Sequence, residues 1–206
     1  NGTILWSWHI WMVADNINEV VYANDAGILM DRNLGATSAE IEAIGSPGLM
    51  YQWGRKDPFI GAFQVHNEDN ISISYGREWA DTTSNSNTGT IEFAIQNPTT
   101  FIIKSSSSTD WIFGTSDNNR WGSTKTIYDP CPAGWRVPDG GPDGFWVKAG
   151  MTKRITGNIS GKGLIALSTY CTPDSWWPAA GRYTTTIESL SSHGNYGYYW
   201  SVTPKS

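Results

Sequence analysis

The sequence is poor in charge and in long apolar runs, and each shortage argues against a class of protein. Only 16 % of the 206 residues are Asp, Glu, Lys or Arg, against about 25 % in an ordinary globular chain. The formal net charge of −5 argues against a basic surface for nucleic acid or for an anionic membrane. No apolar run approaches the roughly 18 residues that a membrane-spanning helix needs.

Familiar catalytic motifs are missing as well. The chain contains no GxSxG, HExxH or GxGxxG motif. The glycine-rich residues 157–163 are one residue short of a phosphate loop, and Gly163 stands where a Ser or Thr would hold Mg²⁺. Carboxylates are scattered through predicted loops, and no spacing singles out a catalytic pair. The sequence therefore predicts a protein that is not an enzyme.

Cysteine is scarce, and the two that are present leave two alternatives open. Cys131 and Cys171 either form a disulfide, as in an exported protein, or remain as two buried thiols. A zinc site is not expected, because there is no CxxC motif and the three histidines lie far from both cysteines in sequence.

Calcium is the one inorganic cofactor that the sequence leaves open. Asp and Asn cluster at residues 81–87, 117–119 and 139–143 and offer oxygen ligands. None of these clusters matches an EF-hand loop, and Asp and Asn also favour turns for local reasons. We therefore expect no cofactor, with calcium as the alternative.

Aromatic residues are abundant, with 12 Trp and 9 Tyr, and they lie in short segments between polar loops. Alternation of side chains predicts a strand over residues 4–11. Thr90 followed by an apolar stretch predicts an N-cap and a helix over residues 91–95. Further short helices are predicted at 39–44 and 143–149, and further strands at 20–22, 28–32, 101–103, 163–167, 176–183 and 197–202. Together they predict a single α+β domain over residues 1–206, with long loops.

The C-terminal third carries the strongest signal for binding. Trp176 and Trp177 are adjacent, so in a strand they point to opposite faces and at most one of them faces a given core. Residues 183–199 are rich in Tyr, Ser, Thr, Asn and Gly, a composition like that of an antibody paratope. The predicted ligand-binding residues are Trp176, Tyr183, His193, Asn195, Tyr196 and Tyr198.

Several motifs, in a fixed order along nearly the whole chain, carry a resemblance to a known family. They are LWSWHIW at 5–11, MDRNLGA at 30–36, YQWGRKDPF at 51–59, DPCPAGWRVP at 129–138, WPAAGR at 177–182 and YWS at 199–201. This pattern resembles the Fibrobacter succinogenes major paralogous domain, which is abundant in surface proteins of Bacteroidetes. The resemblance implies a C-type-lectin-like fold.

Members of that family include lipoproteins, fimbrillin-type pilus tip proteins, phage receptor-binding proteins and variable proteins of diversity-generating retroelements. The resemblance implies a non-catalytic adhesin or receptor-binding module, exported to the cell surface or carried on a phage particle, that binds a protein or glycan ligand. The alternative is a structural pilus or envelope subunit without a ligand of its own. A third alternative, an enzyme, follows only from the broad fold, which the formylglycine-generating enzymes share and use with reactive cysteines.

The sequence also departs from the family pattern. The family continues past YWS into a last strand with the sequence Val-Arg-Cys-Val, so we expect the 206 residues to be part of a longer exported protein. The calcium-binding triplet of sugar-binding lectins is absent, since residues 96–98 read Gln-Asn-Pro. Within the same group of bacteria, Asp-Thr-Thr at residues 81–83 fits an O-glycosylation motif, which makes Thr82 the candidate acceptor.

Overall fold

Short strands and two short helices, joined by irregular segments, make up the computed structural model. It describes residues 2–64, 73–74, 79–106, 108, 110–115, 119–151, 158–159, 163–166, 169–184 and 190–203. The elements in chain order are β1 (Glu19–Tyr22), β2 (Gly27–Met30), β3 (Met50–Tyr51), β4 (Pro58–Phe59), β5 (Ala62–Gln64), β6 (Ile73–Ser74), β7 (Asp81–Thr83), α1 (Ile91–Gln96), β8 (Phe101–Ile103), α2 (Phe145–Lys148), β9 (Asn158–Ile159), β10 (Gly163–Ala166), β11 (Cys171–Thr172) and β12 (Ser175–Pro178).

These strands pair into small sheets rather than one large one. Two sheets are antiparallel and three-stranded, with the orders β11-β1-β2 and β12-β10-β9. Strands β3 and β4 pair antiparallel, as do β5 and β6, whereas β7 and β8 run parallel. The architecture is therefore mixed α+β, with few helices and several small sheets.

The main hydrophobic cluster joins the first sheet to helix α2. Strand β1 buries Val20 and Tyr22 and exposes the residues between them, as expected where one face of a strand meets a core. The Tyr22 ring meets the Phe145 ring of α2 edge to face, with centroids 4.8 Å apart. Ala166 of β10 and Cys171 of β11 complete the cluster, so the fold brings residues over 140 positions apart into one core.

A buried carboxylate organises the proline-rich loop at residues 129–138. Asp129 Oδ1 accepts hydrogen bonds from the backbone N–H of Cys131 and from Lys125 Nζ, both at 2.9 Å. Its Oδ2 accepts from the backbone N–H of Val137 at 3.0 Å. Buried backbone donors need such partners, so this one side chain fixes both ends of a loop that lacks regular structure.

Most of the predicted elements are confirmed. Strands β1, β2 and β8 and helix α2 lie within their predicted ranges or within a few residues of them. The strand predicted at residues 176–183 is confirmed only in its first part, because β12 ends at Pro178 and only isolated bridges at Gly181 and Arg182 follow. The prediction for α1 holds in detail, because Thr90 Oγ1 accepts a hydrogen bond from Phe93 N at 3.0 Å and Asn97 ends the helix. Strand β10 occupies the described part of its predicted range.

Three predictions of regular structure are wrong. Residues 4–11 form no strand, because no backbone–backbone hydrogen bond joins them to another described segment. Residues 39–44 form turns instead of a helix. Residues 197–202 form no strand either, and Gly197 makes only an isolated bridge to Gly181. Residues 4–11 and 197–202 have the side-chain pattern of a strand, but no described strand pairs with them. In residues 39–44, Glu42 has a φ of +61°, which a right-handed helix does not allow.

Candidate ligand-binding site

Three exposed aromatic side chains follow one another near the C-terminal end of the described chain. Tyr196, Tyr198 and Trp200 are 63 %, 42 % and 52 % exposed, respectively. The ring centroids of Tyr196 and Tyr198 are 6.3 Å apart. We call these three residues the aromatic shelf. Asn195, a predicted ligand-binding residue, lies beside the shelf and is exposed.

The residue between the last two members of the shelf anchors them to the core. The Tyr199 hydroxyl donates to the backbone carbonyl of Pro178 at 2.5 Å. Its ring meets the Trp177 ring edge to face, with centroids 4.7 Å apart. Successive side chains of an extended chain point to opposite sides, so anchoring Tyr199 inward presents Tyr198 and Trp200 outward.

Backbone hydrogen bonds with Gly181 and Ser192 fix the position of Tyr196 in the shelf. Gly181 N donates to Tyr196 O at 2.9 Å, and Tyr196 N donates to Ser192 O at 2.9 Å. Gly181 has φ of +74°, and a Cβ at this position would lie 2.6 Å from Ser191 O. Only glycine tolerates both conditions, which explains why the WPAAGR motif has a glycine at position 181.

A cleft of about 190 Å³ adjoins the shelf, and Tyr198 and Trp200 form part of its lining. The Trp200 indole N–H donates to Tyr51 O at 2.8 Å, which fixes the ring against strand β3. The cleft runs inward between two hydrophobic clusters, since Trp121 and Trp177 also line it. An apolar cavity of about 150 Å³ can hold a single aromatic ring, so this cleft can hold a group of that size.

One buried hydroxyl among the lining residues has no hydrogen-bond partner. The Tyr51 hydroxyl is buried and bonds to no other described group, although Tyr51 lines the cleft. Burial raises the pKa of Tyr51, so the hydroxyl stays protonated and can donate. An unsatisfied buried polar group costs free energy, and a ligand with an acceptor atom could satisfy it.

Most charges along the cleft are already paired. Arg32 donates to Asp15 at 2.8 Å and to Asp31 at 2.7 Å, and Arg136 pairs with Asp139 at 2.6 Å. Arg182 lies beside the shelf and outside the cleft lining, with its guanidinium carbon 4.5 Å from the centre of the Tyr198 ring, and no described carboxylate forms an ion pair with it. The site therefore offers the Arg182 cation, aromatic faces and a buried hydroxyl to a ligand.

Tyr183 and His193, both predicted ligand-binding residues, are half-buried and lie outside the cleft lining. The Tyr183 hydroxyl donates to Ile60 O at 2.9 Å, and its ring meets Trp79 edge to face at 4.9 Å. Burial raises the pKa of Tyr183 to about 12. His193 Nδ1 lies 3.2 Å from Leu190 O. These contacts hold both side chains against the protein.

Trp176 was predicted to bind ligand from an exposed position, but it is buried. Its indole N–H donates to Ser46 Oγ at 3.2 Å. It also lines the cleft, so of the predicted residues Trp176 and Tyr198 contribute to that cavity. The adjacent Trp177 also lines the cleft, but its indole N–H donates to the Tyr22 hydroxyl and its ring packs against the main cluster.

Sequence reasoning missed Trp200, Arg182 and Tyr51. A signal for Trp200 was present, because Tyr196, Tyr198 and Trp200 share the two-residue period of an extended chain. Arg182 lies next to the predicted Tyr183 but carried no pattern of its own. Tyr51 could not be found, because only the three-dimensional packing shows that its hydroxyl lacks a partner.

Both cysteines are free thiols in this structure, so the disulfide alternative is not realised in it. Cys171 is buried and packs in the main cluster, whereas Cys131 is half-buried and packs against a different one. Burial raises the pKa of both thiols, which lowers the thiolate fraction that nucleophilic chemistry needs.

Thr82, the candidate O-glycosylation acceptor, lies at the centre of β7 and pairs with Ile102 of β8. It is half-buried, while its neighbours Asp81 and Thr83 are exposed. Among the described residues, no group of three or more His, Cys, Asp or Glu side chains could hold a metal ion. Residues 117 and 118 of one predicted calcium cluster lie outside the described residues.

Comparison with family models, with curated proteins and with solved structures finds no match to this chain. In the described part of the chain, no helix has the length and apolar character to cross a membrane. The candidate site is a preorganised aromatic surface beside a small, largely apolar cleft.

Proposed function

We propose that this chain is a non-catalytic ligand-binding module of the adhesin or receptor-binding type. The observation that carries the proposal is the aromatic shelf, in which Tyr196, Tyr198 and Trp200 are exposed beside a cleft. Exposing large aromatic surface to water is unfavourable, and contiguous exposed apolar patches mark interaction sites. Tyr, Trp and Arg are also the residues that contribute most to binding at protein interfaces.

Preorganisation of the shelf supports the same proposal. Tyr199 is bonded to Pro178 O, and the Trp200 indole is bonded to Tyr51 O. Side chains that are already ordered lose little conformational entropy when a ligand binds. The Arg182 guanidinium over Tyr198 adds a cation at the edge of the shelf, where it can meet a carbonyl or an acidic group of the ligand.

The wider identity of the module rests on the order of its sequence motifs. We propose a C-type-lectin-like domain of an exported bacterial surface protein, of the kind found in fimbrial tips and in retroelement-diversified variable proteins. Its ligand would be a protein or a glycan on a host or bacterial surface. The mixed α+β architecture with long connecting segments is compatible with that fold, and the low charge of the chain suits binding by neutral and aromatic groups.

The test is a binding screen on glycan arrays and on arrays of host-surface proteins, with and without EDTA. The chain is compared with the double variant Tyr198→Ala/Trp200→Ala and with the control Ile127→Ala, which removes an exposed apolar side chain outside the cleft. We expect saturable binding that the double variant loses by at least about tenfold and the control retains.

Two outcomes of the screen contradict the proposal, and the EDTA arm tests the calcium alternative. Binding that is equal in the double variant and the wild-type chain would remove the shelf from the site. No binding on either array by a folded sample would contradict the ligand-binding function itself. Loss of binding in EDTA would show that a cation is needed and would reopen the calcium alternative.

A second candidate function, a structural pilus or envelope subunit, is favoured by one separate feature. Residues 2–14, none of which lines the cleft, expose several large apolar side chains, which suits a contact between subunits. Under this alternative, substitutions at the shelf leave assembly intact, and substitutions in residues 2–14 disrupt it. The same variants therefore distinguish the two functions.

A further inference from the structure

The N-terminal segment (residues 2–14) combines an apolar surface with an unpaired backbone. Leu5, Trp8, Ile10 and Met12 are 83 %, 84 %, 79 % and 80 % exposed, respectively. Among the described residues, no backbone–backbone hydrogen bond involves this segment. Long apolar side chains beside free N–H and C=O groups are the features by which an exposed strand edge recruits another strand.

One side of this segment is fixed to the rest of the protein. Ser7 Oγ donates to Asp57 Oδ1 at 2.6 Å, and the Trp11 indole N–H donates to Ala36 O at 3.1 Å. Lys56 Nζ donates to Ser7 O at 2.9 Å. The segment is therefore held by Ser7 and Trp11, while the backbone of residues 8–12 makes no backbone–backbone hydrogen bond to the described residues and stays available to a partner.

The opposite side of the segment alternates over residues 10–13 as a strand does. Ile10 and Met12 are exposed, whereas Trp11 and Val13 are half-buried; Trp8 and His9 before them are both exposed. In an extended chain Trp8, Ile10 and Met12 share one face, so three exposed apolar side chains lie on one outward face. The segment therefore has an apolar face suited to a strand and lacks a partner among the described residues.

The partner must be extended, apolar and uncharged, because residues 2–14 contain no Asp, Glu, Lys or Arg. The segment itself has this chemistry. In an antiparallel pair about a two-fold axis at Ile10, Trp8 of one copy lies opposite Met12 of the other and His9 lies opposite Trp11, so no two charged side chains of like sign face each other. We propose that two copies of this chain associate through antiparallel pairing of residues 8–12, a surface distinct from the aromatic shelf.

The area involved is sufficient for a weak dimer. Burying the exposed side chains of Trp8, Ile10 and Met12 would remove on the order of 500 Å² of apolar surface per copy. The total from both copies is then about 1,000 Å², which is the lower limit for a specific interface. We therefore expect reversible association with a dissociation constant in the micromolar range, independent of any ligand at the shelf.

The test is sedimentation velocity of the whole chain over a dilution series from about 1 µM to about 200 µM. The variant Ile10→Lys places a charge at the centre of the proposed pair. The control Ile127→Lys adds the same charge at another exposed isoleucine, 67 % exposed. We expect a monomer–dimer equilibrium whose dissociation constant rises at least about tenfold in Ile10→Lys and is unchanged in the control.

Hydrogen exchange supplies a second readout that does not depend on the variants. Amides of residues 8–12 should gain protection as the concentration of the wild-type chain rises, because strand pairing bonds them. A wild-type chain that is monomeric throughout the series overturns the proposal, even if a strand from another protein later proves to bind there. A dimer that Ile10→Lys leaves intact, or that forms without protection of residues 8–12, overturns it equally.

Discussion

Tyr199 and its two neighbours in sequence, Tyr198 and Trp200, belong to two different groups of aromatic side chains. Tyr199 joins a cluster of rings in edge-to-face and tilted contact whose other members are Tyr22, Phe145, Trp146 and Trp177. Tyr198 and Trp200 are exposed, and they line the same cleft that Tyr199 lines from the inner side. One short stretch of chain therefore contributes to the core and to the candidate site at once.

The two groups also differ in how they use their polar atoms. In the buried group, the Trp177 indole donates to the Tyr22 hydroxyl at 3.1 Å, and the Tyr199 hydroxyl is bonded to Pro178 O. In the shelf, the Tyr196 and Tyr198 hydroxyls bond to no described protein group. The hydroxyl or indole N–H of a buried aromatic residue usually has a hydrogen-bond partner, whereas that of an exposed residue remains free to bond to a ligand.

Because the buried rings and the shelf are different residues, substitutions can separate folding from binding in this molecule. Removing a ring from the buried group should destabilise the fold, and removing one from the shelf should not.

Phe145→Ala should cause the largest loss of stability. Phe145 is buried in α2 and contacts Tyr22 and Trp146 at centroid distances of 4.8 Å and 4.7 Å. Truncating a buried Phe lowers the free energy of unfolding by about 3–5 kcal/mol. Urea denaturation followed by Trp fluorescence measures the loss. A loss below about 1 kcal/mol would mean that the buried rings are not the core.

Asp129→Ala should have the next largest effect, because it releases the loop that contributes Pro130 and Trp135 to the cleft. The substitution leaves the N–H groups of Cys131 and Val137 without their acceptor. We expect a loss of about 2–4 kcal/mol in the free energy of unfolding. The matched control is Asp139→Ala, which removes a half-exposed ion pair with Arg136 and should cost less than about 1 kcal/mol.

Acidification should destabilise the fold by protonating the carboxylates that pair with Arg32 in the lining of the cleft. Hydrogen bonding to Arg32 lowers the pKa of Asp15. Burial by itself would raise the pKa of Asp31, but hydrogen bonds from Arg32 and Asn18 outweigh it and the pKa is lowered. A carboxylate with a lowered folded-state pKa stabilises the fold above its unfolded pKa near 4, and this contribution is lost as the pH falls through the folded value.

The melting temperature should therefore be steady above about pH 5 and fall below about pH 4. The variant Asp31→Asn removes one titrating group and should show a shallower fall than the wild-type chain. A fall of equal steepness in both chains would show that Asp31 is not among the groups responsible.

Tyr51→Phe should have a small effect on stability and a larger one on binding. Its hydroxyl is buried without a partner, so its removal should leave the free energy of unfolding unchanged or raise it by up to about 1 kcal/mol. If the ligand bonds to this hydroxyl, affinity on the positive array spots should fall. A clear loss of stability would instead show that the hydroxyl has a partner in solution.

Prediction from sequence succeeded where structure depends on neighbours in the chain. Thr90 caps α1 through a contact three residues away, and β1 and β2 are joined by a short turn. Residues 4–11 were mispredicted because alternation shows that a segment can pair but not whether a partner lies beside it. The order of the elements and the α+β class could thus be inferred, whereas the pairing of distant strands could not.

The candidate site was predictable in the same partial way. A paratope-like composition singled out Tyr196 and Tyr198, which are exposed, but also Tyr183 and His193, which pack against Trp79 and Leu190. Composition cannot distinguish an aromatic residue that covers a neighbour from one that projects into solvent. That distinction is set by tertiary contacts such as the bond from Tyr183 to Ile60 O.

The most direct test of the separation between core and shelf is the free energy of unfolding of the double variant Tyr196→Ala/Tyr198→Ala, measured by urea denaturation beside the wild-type chain. The variant loses two exposed rings and the cation–π contact of Arg182, so the predicted loss is at most about 1 kcal/mol with an unchanged dependence on urea. A loss of about 3 kcal/mol or more, like that expected for Phe145→Ala, would contradict the account, because the shelf would then be part of the core.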